Sequence, residues 1–530
     1  MFLSLALALT ASAASFDPDF RWATVNTEHF AITFHQGEEQ VAEEMILSAE
    51  KAWDTLTEEL KTTPKRRIQL VLVDPTDSAN GYATIVPNNQ IVIFVTAPQE
   101  DSSLDYYDDW GSTIVTHELT HVLHLDTVGG LPKIGRYIFG RIVSPNLLSP
   151  GWVTEGFATF EETRHTAGGR GKAPAVDMVK RTAWLEDRFP PLDTLDGYQS
   201  RPPAGNLRYV FGQDFIQFIA DRAGENKWTE WVHRYGASIP YFLGAKKTFG
   251  ASLYRLHREW VEAVGERYRA QLAPVEAEGL SVSTPVTPEK MGCGAASWSP
   301  NGQWLAYACN DPRRGTAIYI DDGSGSRHRV LVKNVLPKNI VWRADSKAIV
   351  FSLLGSSDLY NSFEDVFTYE LAGKRMRRIT SGERARDPVY SPDGERLLVV
   401  TNKLRNNNLA LITVDGQRRT LTHYTDHTQL GTPRYSPDGT VIALSVWSGG
   451  TRDLWLYTPE GQPLQRLTLD MASDRDPAWS PDGRFLLFSS DRSGIPNIYA
   501  WERETGRLYR VTNVRTGAFG PSIHPDGTRM

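Results

Sequence analysis

Apolar and polar residues alternate from Phe20 to Phe34, the period of a half-buried strand, and from Glu38 to Leu60 the spacing changes to that of a helix rich in Glu, Ala and Leu. Ile68 to Val73 (IQLVLV) reads as a buried strand, and Gln90 to Val95 (QIVIFV), after a Pro87-Asn88-Asn89 turn, as another. The pattern then predicts a helix capped by Gly111-Ser112-Thr113 and running to about Leu125, and a second from Gly151 to Glu162. Residues 173–272 read as mainly helical, with segments at Asp177 to Leu185, Phe211 to Arg222, Trp228 to Arg234 and Ser252 to Leu272. The first half of the chain, residues 16–272, is therefore expected to be an α+β domain.

From 273 to 290 the periodicity stops and prolines and small polar residues take over, which marks a linker. Beyond it, over residues 291–530, one motif recurs: Trp298-Ser299-Pro300-Asn301-Gly302, Trp342-Arg343-Ala344-Asp345-Ser346, Tyr390-Ser391-Pro392-Asp393-Gly394, the same Ser-Pro-Asp-Gly after Tyr435 and Trp479, and finally His524-Pro525-Asp526-Gly527. The intervals at the proline position are 44, 48, 45, 44 and 44. A fixed period of this size, with β-rich runs such as Arg484 to Ser489 between the turns, predicts four-stranded propeller blades. These repeats resemble TolB-type, WD-like propeller repeats. Five units and the first turn of a sixth precede Met530, so the sequence is expected to continue further. The repeated Asp residues are expected to shape turns by bonding their own backbone.

Composition narrows the options. The chain has 530 residues, of which 40% are hydrophobic and 23% charged, so more than one core is expected. A net charge of −6, from 57 basic and 63 acidic residues, gives no reason to expect nucleic acid or an anionic membrane surface as partner. Met1 to Ala14 is an apolar run ending in small residues, with Ala11-Ser12-Ala13 suited to signal-peptidase cleavage; export to the periplasm or medium is expected. No later run approaches the ~20 apolar residues of a membrane span. Cys293 and Cys309 could pair across neighbouring strands or stay as two core thiols.

The chemistry concentrates in His117-Glu118-Leu119-Thr120-His121. Two histidines four apart share one helix face, can bind one metal ion, and leave Glu118 beside it. A catalytic zinc site takes three protein ligands and an open position, and Glu155 on the next helix is the candidate third ligand. With Trp152-Val153-Thr154-Glu155-Gly156-Phe157-Ala158 the pattern resembles the gluzincin metallopeptidases, the group containing thermolysin and aminopeptidase N. The resemblance implies a zincin-like peptidase domain, zinc held by His117, His121 and Glu155, and Glu118 as general base. It also implies that Glu162 orients a zinc histidine and that Tyr209, in Tyr209-Val210-Phe211-Gly212, donates to the oxyanion. Two features depart from the aminopeptidase branch: the 33 residues between His121 and Glu155, and the lack of a Gly-x-Met-x-Asn motif upstream of His117. His124 is expected to be a packed histidine, since a fourth protein ligand would close the site. A peptide or protein is the expected substrate, with the propeller holding substrate or a protein partner. The rival reading is an envelope propeller scaffold carrying a weak or vestigial hydrolase. A propeller-linked serine hydrolase is disfavoured because no Gly-x-Ser-x-Gly occurs.

Overall fold

The computed structural model describes residues 16–100, 102–197, 205–237, 242–288, 291–325, 329–413 and 415–530; the apolar leader lies outside them. The alternating stretch that reads as one strand is two, β1 (Trp22–Asn26) and β2 (Phe30–His35), paired antiparallel with Trp22 opposite His35. Both arms carry the same period, so the alternation runs straight through the turn, where the Thr27 amide donates to the Phe30 carbonyl at 3.0 Å. After α1 (Glu39–Leu60) come β3 (Ile68–Val73), β4 (Gly81–Thr84) and β5 (Gln90–Phe94), completing a sheet of order β1-β2-β3-β5-β4. β2, β3 and β5 run parallel, and β4 lies antiparallel to β5 at the edge. β4 has no signature in the hydrophobic pattern: Gly-Tyr-Ala-Thr is short and only partly covered.

α2 (Trp110–Asp126) packs between the sheet and α4 (Gly151–His165), so its residues are buried on every face from Trp110 to His124 apart from Ser112. Its cap is Asp109, whose carboxylate accepts from the Ser112 amide at 2.6 Å, and not the Gly111-Ser112-Thr113 stretch, which forms the first turn. Met45, Trp53 and Leu56 of α1, Leu70 and Leu72 of β3, and Val115, Leu119 and Val122 of α2 share one core. Around it lie α3 (Gly130–Phe139), α5 (Pro174–Leu185), α6 (Leu207–Ala223), α7 (Asn226–Ala237), α8 (Phe242–Phe249) and α9 (Leu253–Ala277). α9 runs through Pro274, so the helix takes the first residues of the segment that reads as linker. The end of α9 and Gly279 just beyond it are held to the propeller: Asn513 Nδ2 donates to the carbonyls of Val275 and Gly279 at 2.8 and 2.7 Å.

Among the described residues the second region forms five four-stranded antiparallel sheets, over 292–333, 341–378, 385–420, 429–466 and 474–510. The repeated turn has a local cause. Ser436 Oγ donates to Asp438 Oδ1 at 2.5 Å, the same oxygen accepts from the Thr440 amide at 3.1 Å, and Gly439 takes a φ of 69° that a side chain would strain. Ser480-Asp482 repeats the arrangement. Cys293 and Cys309 face each other on neighbouring strands of the first blade and are bonded as a disulfide.

The two regions meet through buried polar contacts. Arg384 of the propeller donates to Asp77 Oδ1 at 2.8 Å and to Thr96 Oγ1 at 2.9 Å, and also pairs with Asp74. Asn402 donates to the same Asp77 oxygen at 2.7 Å. Arg475 pairs with Asp105 at 2.8 Å, and Trp447 packs against Tyr107 with ring centres 4.6 Å apart and planes tilted by 34°. These contacts fall on the two segments that lead into β4 and α2, so the propeller fixes the approaches to both.

Candidate metal centre

His117 and His121 project from one face of α2 because they stand one helical turn apart, and Glu155 faces them from the first turns of α4. His117 Nε2 and His121 Nε2 are 3.1 Å apart, and Glu155 Oε2 lies 3.6 Å from the first and 3.2 Å from the second. Ligands around one tetrahedral zinc at the usual bond lengths stand roughly 3.3 Å from one another. The three atoms thus have the spacing that a single ion requires. A shared proton would bond only the two ring nitrogens, whereas a cation between the three atoms would take a lone pair from each ring and from the Glu155 carboxylate.

The surroundings set the charge states. Glu162 Oε2 accepts from His117 Nδ1 at 2.8 Å, which turns the Nε2 lone pair of that ring toward His121 and Glu155. Glu162 is itself gripped by Arg170, whose Nε and Nη2 donate to its two oxygens at 2.8 and 2.7 Å. Burial pushes the Glu162 carboxyl up, but the Arg170 charge and hydrogen bonds overcome it and hold the group at about 2. Burial likewise opposes ionising Glu155, and the hydrogen bonds from His117 and His121 hold it far below the carboxylate range. Burial and the Arg170 cation work against a charge on His117, yet Glu155 and Glu162 push its pKa up to about 9. The raised His117 and the lowered Glu155 reflect one coupling: the carboxylates that draw a proton onto His117 would draw a metal cation, in place of that proton, to the same point.

Glu118 is buried beside this cluster. Burial raises its pKa, with the His117 and His121 charges opposing, and its Oε2 has no protein hydrogen-bond partner among the described residues. The edge strand β4 comes so close that a Cβ on Gly81 would stand 3.0 Å from Glu118 Oε1. Tyr209 lies on α6 with its ring 6.3 Å from that of His117. Burial and the nearby Glu155 charge raise its phenol to about 12, so it stays protonated and able to donate. Gly81, Tyr82, His117, Glu118, Glu155 and Tyr209 all line one cleft of about 550 Å³.

Two glycines explain how the cleft is assembled. α4 and α6 cross at Gly156 and Gly212, where a Cβ on Gly156 would stand 2.6 Å from the Gly212 carbonyl carbon and one on Gly212 would stand 2.6 Å from the Trp152 carbonyl oxygen. Neither helix could approach with a side chain there, and the crossing puts Tyr209, one turn before Gly212, opposite Glu155.

The structure therefore brings His117, His121, Glu155, Glu118, Glu162 and Tyr209 to one place. His124 stands outside the cluster, buried edge-on against Phe157 at 5.6 Å, and burial lowers its pKa to about 3. Arg170 is the participant that the sequence does not reveal. It clamps Glu162 and lies 4.8 Å from the centre of the Tyr209 ring, joining two residues otherwise 47 positions apart. Its only local sign is the Gly168-Gly169 pair before it, which lets the chain turn back onto α4.

A second carboxylate and histidine group, Glu59, Glu161 and His165, is paired internally: Arg164 bridges Glu161 at 3.2 Å and Glu59, and His165 lies 3.1 and 2.8 Å from the same two carboxylates.

Comparison with known proteins bears on the second region. Residues 387–530 match the family model described as the TolB beta propeller domain, which covers the last three sheets and the final turn. TolB from Acinetobacter baumannii is similar at 18% identity and a TM-score of 0.38, over 45% of this chain and 58% of that one. A putative TolB from Agrobacterium tumefaciens is similar at 19% identity and a TM-score of 0.39, over 45% and 87%. A puromycin-hydrolyzing peptidase of Mycobacterium tuberculosis is similar at 16% identity and a TM-score of 0.32, over 42% and 39%. This chain thus spans under two thirds of the length of the Acinetobacter protein. With the family match and the five sheets together, the C-terminal region is a TolB-type β-propeller, preceded by a mixed α/β region. No helix among the described residues is long and apolar enough to cross a membrane.

Proposed function

We propose that the chain is an exported zinc-dependent peptidase of gluzincin type whose propeller helps to hold substrate or a partner. The observation that carries this reading is the mutual spacing of His117 Nε2, His121 Nε2 and Glu155 Oε2 at 3.1, 3.2 and 3.6 Å, which suits one tetrahedral ion. Bound there, zinc supplies Lewis-acid polarisation of a carbonyl and a more acidic water. Glu118, raised by burial, receives a proton from the attacking water and passes it to the departing amine. Tyr209, held protonated, donates to the developing oxyanion, where one such donor is typically worth ~2.7 to 4 kcal/mol of barrier. β4, an edge strand beside Glu118, offers unpaired backbone groups to an extended peptide.

The Cys293-Cys309 disulfide fits an oxidising compartment and so supports export. The buried interface, which fixes the approaches to β4 and α2, supports a propeller that works with the cleft. The scaffold reading is tested by the same experiment: the purified chain should contain close to one zinc per molecule and cleave a complex peptide mixture. Glu118→Gln should keep the metal and lose at least ~100-fold in activity. Equal cleavage by Glu118→Gln, or a folded chain that takes up no zinc, would overturn the peptidase reading.

A further inference from the structure

We infer that α3 and the turn after it form a docking surface for an anionic phospholipid bilayer. Leu131, Ile134, Tyr137 and Phe139 stand out from α3 with 80, 62, 93 and 68% of their surface exposed, and no residue of the helix is buried. Ile142 and Leu148, just beyond it, are each 68% exposed. Large apolar side chains left in water this densely mark a surface that is covered in function.

Charge and shape indicate what covers it. Between Asp126 and Glu155 the sequence has no acidic residue and three basic ones, Lys133, Arg136 and Arg141. The chain's overall charge of −6 hides this local excess. A short helix with projecting apolar and aromatic residues and a local excess of positive charge, three cations against the single Asp126 carboxylate that Arg136 and Arg141 share, is suited to the headgroup boundary of an anionic membrane. At about 100° per residue the exposed apolar positions spread over roughly half the helix circumference and continue past its end, a cap rather than the single stripe that a protein groove accepts.

The surface is also fixed in place. Arg141 pairs with Asp126 at 2.8 Å, Arg136 binds the same carboxylate, and Asn146 Nδ2 donates to the Thr127 carbonyl at 2.8 Å. α3 is thereby anchored to the end of the helix that carries His117 and His121, independently of whether that cluster binds zinc.

The test is co-sedimentation of the full chain with vesicles of phosphatidylethanolamine and phosphatidylglycerol, with phosphatidylcholine vesicles and added salt as separate arms. Binding to the anionic vesicles that weakens with salt is expected, and Ile134→Asp with Phe139→Asp should lower it about tenfold or more at an unchanged melting temperature. Lys133→Glu should weaken binding while leaving the apolar residues in place. Three results would overturn the inference: no binding of the parent chain to anionic vesicles, equal binding by the double variant, or dimerisation by light scattering that the double variant abolishes without any vesicle binding.

Discussion

Glu162 accepts the Nδ1 proton of His117 at 2.8 Å while Arg170 grips both of its oxygens, so the orientation of one candidate metal ligand is steadied by a residue of a separate short 3-10 helix (Arg170–Lys172). Glu162→Gln retains the shape of the side chain and removes the negative charge that steadies the imidazole. The expected result is a ~10- to 100-fold loss of zinc affinity, measured by competition with a chromogenic chelator, in a chain that still folds. Unchanged affinity would reduce Glu162 to a packing role.

The extent to which this site is legible in the sequence follows from which constraints are local. His117 and His121 are legible because a four-residue spacing on a helix is itself the geometry, and Glu155 because its helix follows in the chain. The glycines of the two motifs acquire a reason only in three dimensions, where Gly156 and Gly212 meet backbone to backbone. Arg170 and β4 leave no periodic trace: one acts from a 3-10 helix of three residues, the other is four residues long at a sheet edge. The propeller is legible because its turn chemistry repeats, and its docking onto the first region is not, because Arg384 and Asp77 lie far apart in a chain read singly.

That docking makes its own prediction. Arg384 is largely buried against Asp74, Asp77 and Thr96, and removing the cation strands two buried carboxylates. Arg384→Ala should destabilise the junction by ~3 to 5 kcal/mol and split calorimetric unfolding into separate transitions for the two regions. A single transition at the parent temperature would show that the apolar contact of Trp447 with Tyr107 is sufficient.

The disulfide of the first blade closes a short loop, with its cysteines 16 positions apart. Replacing both by alanine should lower unfolding stability by ~3 kcal/mol, read as a shift in the denaturant midpoint under non-reducing conditions. If reducing agent shifts the parent midpoint by as much and leaves the variant unmoved, the effect belongs to the bond; an unmoved parent would assign the loss to packing around the buried Cys309.

Glu364 supplies the pH dependence. It lies on the third strand of the second blade (Ser362–Glu370), with its amide donating to Asp77 Oδ2 at 3.0 Å, and burial lifts its carboxyl to about 7 against the opposing pull of Lys338 and Arg386. An unfolded glutamate titrates near ~4.3, so between roughly pH 4.3 and 7 the folded chain binds the proton that the unfolded chain has released. Stability must then fall as pH rises through that window, by an amount on the order of 4 kcal/mol at ~1.4 kcal/mol per unit. Glu364→Gln removes the titration and mimics the protonated form. The variant should match the parent near pH 4 and exceed it at pH 8, as measured by urea unfolding at both values. Parallel pH profiles for the two chains would mean that Glu364 ionises in the folded state as readily as in the unfolded one.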